Sequence, residues 1–115
     1  MALDYNSILF DSQIVSTGSN DDLFTLAADE SVDNLVIRFT NYTGTAAKAS
    51  AWCQASGGSD SNDDLFLNEY SIPADDYRDI AAPRMIGGGG KAKLTVTSDT
   101  GSALVVSLIS GIKRS

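Results

Sequence analysis

The sequence predicts an all-β fold: a seven- to eight-stranded antiparallel β-sandwich, jelly-roll-like, in a single domain spanning residues 1–115. Three observations predict it. Hydrophobic residues recur at every second position, clusters of turn-forming residues separate these runs, and no longer segment has an apolar helical face. A buried core is possible, because 43% of the 115 residues are hydrophobic and only 20% are charged.

The alternation is clearest in the segment around residue 37. Leu35, Ile37 and Phe39 share one side of a predicted strand, and Arg38 lies on the other side. The segment 91–97 repeats the pattern, because alanine, leucine and valine alternate there with lysine and threonine. Both segments are therefore expected to cover a core with one face only.

The run 103–109 differs, because it is almost continuously apolar. Such a run suits a strand covered on both faces, or a strand whose outer face lies in an interface. Residues 27–34 are polar and are expected to hold a helical turn at most. The predicted strands are residues 5–15, 21–27, 32–41, 46–54, 63–71, 77–82, 91–98 and 103–112.

Two internal echoes appear along the chain. Residues 39–46 resemble residues 96–103, and both read as a strand end, a tight turn and a strand start, which predicts two hairpins of one design. The hexapeptide 19–24 recurs unchanged at 61–66. Reuse of one turn-then-strand solution explains the recurrence, and two pseudo-equivalent halves of the domain are the alternative.

Charge is distributed unevenly. Residues 1–83 hold fourteen acidic and three basic side chains, a net charge of −11, whereas residues 84–115 hold five basic side chains and one acid, a net charge of +4. If the two portions form separate surfaces, neighbouring subunits could dock acidic face to basic face. A solvated surface with scattered charges is the alternative.

Composition also argues against several functions. The net charge of −7 disfavours a general nucleic-acid binder, and no apolar run approaches the length of a membrane span. The absence of histidine removes the usual catalytic triads and most zinc sites. The lone cysteine, Cys53, excludes an internal disulfide framework and is expected to be a small core or half-buried residue. We therefore expect neither an enzyme nor a cofactor.

Three other features are weaker candidates for chemistry. The acidic clusters are the only plausible cation ligands, but they lack the spacing of an EF-hand, and turn formation explains them better. The segment 87–91 lacks the spacing of a phosphate-binding loop and continues as a strand, which indicates a flexible hairpin or inter-strand loop. Aromatic side chains could mark a contact surface, or they could cover the ends of the sandwich. These aromatic candidates are Tyr5, Tyr42, Trp52, Tyr70 and Tyr77.

The order of several short motifs resembles a group of small virion proteins of tailed bacteriophages. The motifs run along nearly the whole chain: 5–10 (YNSILF), 16–18 (STG), 39–46 (FTNYTGTA), 72–74 (IPA) and 108–112 (LISGI). Proteins similar in this way form β-sandwich subunits that decorate or clamp the capsid, or that ring the neck and tail. The resemblance implies a structural role and carries over no catalytic residue.

The leading hypothesis is a capsid cement or decoration protein, homotrimeric, that binds the major capsid protein in the virion after assembly in the bacterial cytoplasm. A neck, tail or fibre-adaptor ring is the alternative. A carbohydrate-binding module that uses exposed aromatics such as Trp52 and Tyr77 is a further alternative. The expected interfaces are the apolar strand 103–109 and an N-terminal arm, residues 1–10, which could add an edge strand to a neighbour. The residues expected to form them are Tyr5, Ile8, Phe10, Arg84, Val105 and Ile109.

Overall fold

A computed structural model describes residues 3–4, 13–15, 20–100 and 103–114, and nearly all of its regular structure is β-strand. A single turn of 3-10 helix covers Asn62–Asp64. The strands, in chain order, are β1 (Leu3–Asp4), β2 (Gln13–Val15), β3 (Asp21–Thr25), β4 (Ser31–Asn41), β5 (Ala47–Gln54), β6 (Leu65–Ile72), β7 (Asp76–Ala81), β8 (Met85–Ile86), β9 (Lys93–Ser98) and β10 (Leu104–Arg114).

The strands form two antiparallel sheets. The first sheet has the order β1-β10-β4-β7, with β2 also pairing with β10 and β8 also pairing with β4. The second sheet has the order β3-β9-β5-β6. Successive strands therefore mostly cross from one sheet to the other, which is the connectivity of a jelly roll. This confirms the predicted all-β sandwich.

The alternation in β4 places the core as predicted. Leu35, Ile37 and Phe39 are buried between the sheets, whereas Arg38 and Thr40 are only half-buried on the other side of the strand. Facing them from the second sheet are further buried side chains of β5 and β9, which complete one continuous core. Full burial of each large aliphatic or aromatic side chain contributes roughly 1.5–3 kcal/mol.

Among the described strands, the longest pairing joins β4 to β10. Their register runs from Leu104 opposite Asn41 to Arg114 opposite Ser31, with shifts on either side of Ser110. Strand β10 is therefore not covered on both faces: Leu104, Val106 and Leu108 are buried, and alternate residues face outward.

The two echoing segments are not hairpins, so that prediction is wrong. Residues 42–46 join β4 of the first sheet to β5 of the second, and residues 99–103 join β9 to β10 in the opposite direction. The shared design lies in the side chain that ends each strand. Asn41 Oδ1 accepts a hydrogen bond from the backbone N–H of Thr43 at 2.9 Å, and Ser98 Oγ accepts one from that of Thr100 at 3.2 Å. Both side chains close a turn that carries the chain between the sheets.

The identical hexapeptides adopt different structures. Asp21 and Asp22 are the first residues of β3, but their counterparts Asp63 and Asp64 lie in the 3-10 helix before β6. The hexapeptide therefore does not specify one local conformation. The expected reuse of one turn-then-strand structure is wrong for the acidic residues. It holds for the Leu-Phe pair that follows them, because this pair lies in an edge strand of the second sheet in both copies.

Other boundaries differ modestly from the predictions. Residues 28–29 form a turn, and β4 begins at Ser31, so no helical turn forms in 27–34. Of the predicted strand 5–15, residues 13–15 form β2, and residues 5–12 lie outside the described residues. Within the expected N-terminal arm, Leu3–Asp4 pairs with the end of β10 in the same chain.

The glycine-rich segment 87–90 is a turn packed tightly against the loop before β4. The backbone N–H of Gly87 donates to the Glu30 carbonyl oxygen at 2.7 Å, and the Ile86 N–H donates to the Lys91 carbonyl oxygen at 3.1 Å. A Cβ atom at Gly87 would lie 1.6 Å from the carbonyl oxygen of Ala27, whereas a Cβ at Gly90 would meet nothing within 4 Å. Close approach of two backbones therefore requires glycine at position 87.

We expect Gly87→Ala to lower the free energy of unfolding by about 2 kcal/mol, because the backbone of one loop must move away from the other. Gly90→Ala is the matched control and should leave stability nearly unchanged. Urea unfolding followed by circular dichroism measures both. Equal stability of the two variants would contradict the assigned packing.

Candidate interaction surface

Strands β10, β4 and β7 form the outward side of the first sheet. The register of β10, β4 and β7 arranges its side chains in three rows. From one end of the sheet to the other, the rows are Val105, Thr40 and Tyr77; Ser107, Arg38 and Asp79; and Ser110, Val36 and Ala81. We call these nine residues and Ile109 the outer face.

Apolar side chains occupy much of the outer face. Tyr77 is 48% exposed and Ile109 is 40% exposed, while Val36 and Val105 are half-buried. Ile109 is presented to solvent because the register shifts between Leu108 and Ser110, so an extra residue bulges from β10. Exposed apolar groups interleaved with small polar ones are typical of protein contact surfaces.

The charges at the centre of the outer face neutralise each other. Arg38 Nε and Nη2 donate to the two carboxylate oxygens of Asp79 at 2.7 and 3.0 Å, and the guanidinium lies 4.2 Å from the centre of the Tyr77 ring. These hydrogen bonds hold the pKa of the Asp79 carboxyl below its usual range. The bidentate geometry and the stacking fix all three side chains in place.

A second ion pair extends the same side of the sheet. Asp33 is paired across the strands with Ile112, and its carboxylate accepts from Arg84 Nε at 2.9 Å. Because Val32 is fully buried, its neighbour Asp33 points outward, and Arg84 joins it there. The structure thus brings three predicted interface residues, Arg84, Val105 and Ile109, to one side of one sheet.

The other predicted interface residues, Tyr5, Ile8 and Phe10, lie outside the described residues. The sequence pattern does not mark Val36 or Arg38 as interface residues, although the alternation places Arg38 away from the core. The local pattern does not contain the strand order. Only the pairing of β4 with both β10 and β7 brings Val36 and Arg38 beside Val105 and Tyr77.

The uneven charge along the chain produces ion pairs within the molecule. Every basic side chain from residues 84–113 pairs with an acid from the first 83 residues. The pairs are Arg84–Asp33 at 2.9 Å, Lys91–Asp64 at 3.5 Å, Lys93–Asp22 at 3.6 Å and Lys113–Glu30 at 2.5 Å. The described part of the basic portion therefore offers no separate basic face for docking onto an acidic neighbour.

The outward side of the second sheet is buried around Trp52. Trp52 is only 9% exposed, and Gln54 and Thr95, which alternate with core residues, are fully buried. The prediction of Trp52 as an exposed aromatic is therefore wrong. The connection between β5 and β6 returns to this side at Asp60, whose N–H donates to Gln54 Oε1 at 2.8 Å. A long connection that returns over its own strand cannot be inferred from local alternation.

The candidates for chemistry have structural roles. Asp60 accepts hydrogen bonds from the side chains of Gln54 and Asn20, which lower the pKa of its carboxyl. Cys53 is fully buried, and burial raises the pKa of its thiol to about 11. Among the described residues, no three Cys, Asp or Glu side chains gather as a metal ion would require, and no pocket opens.

Two further findings concern the chain as a whole. The described residues include no helix long and apolar enough to cross a membrane. No protein-family model matches the chain, and no curated protein matches it.

The Glu30–Lys113 pair makes a pH-dependent contribution to stability. Hydrogen bonds from Lys113 and from the Ala27 N–H lower the pKa of the Glu30 carboxyl. A carboxyl whose pKa is lower in the folded state stabilises that state above its unfolded pKa, near 4.3, and loses the effect as pH falls through the folded pKa.

We expect Glu30→Gln to lower the free energy of unfolding by about 1.5 kcal/mol at pH 7, since a charged hydrogen bond is lost. The difference from the wild-type chain should shrink as the pH falls below 4. Asp29→Asn, at the exposed neighbouring carboxylate, is the control. Urea titrations at pH 7, 5 and 3 measure the difference, and a gap that stays constant with pH would contradict the role of the pair.

Proposed function

We propose that this chain is a structural protein of a bacteriophage particle, most simply a capsid cement or decoration protein that binds and stabilises the assembled shell. The resemblance of its short motifs to those of small virion proteins supports a place in a phage particle. The outer face, with its apolar side chains and internally paired charges, is the single observation that supports an assembly role.

The physics of desolvation favours the outer face as a docking surface. An isolated charge loses favourable hydration when a partner covers it, whereas Arg38 and Asp79 already neutralise each other. Val36, Val105, Ile109 and Tyr77 contribute apolar area, at roughly 25 cal/mol for each Å² removed from water. Covering this face therefore gains hydrophobic stabilisation without leaving an unpaired charge behind.

Stabilisation of a shell would follow from mass action. A protein that binds only the assembled shell stabilises each site by RT ln(1 + [L]/Kd), which is about 4 kcal/mol at a thousandfold excess over Kd. A site shared between neighbouring copies of the major capsid protein would exist only after assembly. No catalytic step, cofactor or nucleic acid enters this proposal.

Self-association belongs to the same proposal. A homotrimer would present three outer faces to the shell, and simultaneous binding would raise the overall affinity well above that of one face. Sedimentation equilibrium of the purified chain measures this directly, and a monomer at micromolar concentration would remove the trimer from the proposal.

The outer face can be tested with matched variants. We expect Val105→Asp and Ile109→Asp each to weaken binding to purified capsids at least tenfold, because each adds an unpaired charge to the contact. Asn68→Asp adds the same charge to an exposed position of β6 in the second sheet and should bind normally. Co-sedimentation with the capsids measures bound protein, and heat release of packaged DNA measures shell stability.

The outcomes separate the possibilities. Normal binding by both outer-face variants would overturn the assignment of this face. Binding of the wild-type chain only to tails or necks, in the few copies of one or two rings, would move the protein to that position in the virion. Binding to neither structure would overturn the proposed function.

A further inference from the structure

The ten residues 55–64 between β5 and β6 form a segment that we call the strap. The strap consists largely of Gly, Ser, Asp and Asn, and each of its residues is exposed or half-buried. Its 3-10 helix lies close to β5. The strap therefore buries little apolar surface of its own, and hydrogen bonds must account for most of its attachment.

One carboxylate is the centre of that attachment. Asp60 Oδ1 accepts from Gln54 Nε2, Asp60 Oδ2 accepts from Asn20 Nδ2, and the Asp60 N–H donates to Gln54 Oε1 at 2.8 Å. A weaker contact joins Lys93 Nζ to the Gly58 carbonyl oxygen at 3.3 Å. Asp60 thus links the strap to the end of β5 and to the residue before β3.

The groups beside the attachment of the strap are polar or aromatic and yet buried. Gln54 Nε2 also donates to Thr95 Oγ1 at 3.0 Å, and Thr95 donates to Asp22 at 2.8 Å. Trp52 precedes them on the same side of β5, and no described residue accepts a hydrogen bond from its buried Nε1. Opening of the strap would give this N–H access to water, which lowers the cost of opening.

We propose that the strap is an acid-sensitive latch that opens over Trp52 while the two sheets stay folded. Protonation of Asp60 converts an acceptor of two charge-assisted hydrogen bonds into a neutral group and weakens the central attachment. This inference does not depend on the proposed function, since it concerns the opposite sheet.

The charged groups near Asp60 determine whether a fall in pH releases the strap or tightens it. Hydrogen bonds from Gln54 and Asn20, and then the nearby Lys93 ammonium of β9, keep the pKa of the Asp60 carboxyl below its usual range. From β3, Asp22 faces Lys93 at 3.6 Å, and within the strap Asp64 pairs with Lys91 while Asp63 is exposed. The closed strap is therefore stabilised above pH 4 and released as pH falls through the lowered pKa.

Trp52 is the only tryptophan in the chain, so its fluorescence reports on the strap directly. On lowering the pH from 7 to 3, we expect acrylamide quenching to rise several-fold and the emission to shift to longer wavelength. Both changes should precede loss of the far-ultraviolet circular dichroism signal of the sheets. Simultaneous fluorescence and dichroism changes would mean global unfolding and would overturn the proposal.

Two pairs of variants test the latch at pH 7. Asp60→Asn replaces the carboxylate that accepts from two amide donors with an amide, which is itself a donor. It should raise quenching at pH 7 to the value that the wild-type chain shows at low pH, whereas Asp63→Asn, in the same strap, should not. A Cβ at Gly58 would lie 2.7 Å from Gln54 Oε1, but one at Gly57 would meet nothing within 4 Å. Gly58→Ala should therefore open the strap at every pH, and Gly57→Ala should not. Low quenching in both Asp60→Asn and Gly58→Ala would overturn the proposal.

Discussion

The antiparallel pairing of β4 with β10 is the constraint on which the rest of the structure depends. It joins segments more than sixty residues apart along eleven residues of each strand. Pairings between such distant segments are slow to form, because the chain must close a long loop before any contact stabilises it. Once formed, the pairing fixes both the inward core of the first sheet and the rows of the outer face.

The same pairing explains how the charges meet. Strand β10 runs back along β4, so its end brings Lys113 to Glu30, which precedes β4. Crossing between the sheets then places β9 beside β3, where Lys93 approaches Asp22. Strands from the acidic first portion and the basic last portion lie side by side in this topology. The ion pairs between the two portions follow from that arrangement.

The sequence was sufficient to predict what depends on neighbouring residues. Alternation identified the core side of β4, where Leu35, Ile37 and Phe39 are buried. It was insufficient where distant segments decide the outcome. The local pattern at 39–46 marks a turn but not the sheet to which the next strand belongs. Trp52 follows the outward alternation and is nevertheless buried, on the side of β5 where Gln54 binds the strap. The hexapeptide at 19–24 and 61–66 shows the same limit, because its acidic residues form strand in one place and helix in the other.

Internal pairing of the basic side chains also determines how free copies meet one another. Six basic side chains are held by acids of the same chain, and the whole sequence still carries seven more negative than positive charges. Two free copies therefore repel each other at separations up to the Debye length, which is about 10 Å at 0.1 M salt. The outer face adds little to this repulsion, because the charges of Arg38 and Asp79 cancel each other there. The net negative charge thus keeps free copies apart, while the paired charges leave little net charge on the outer face.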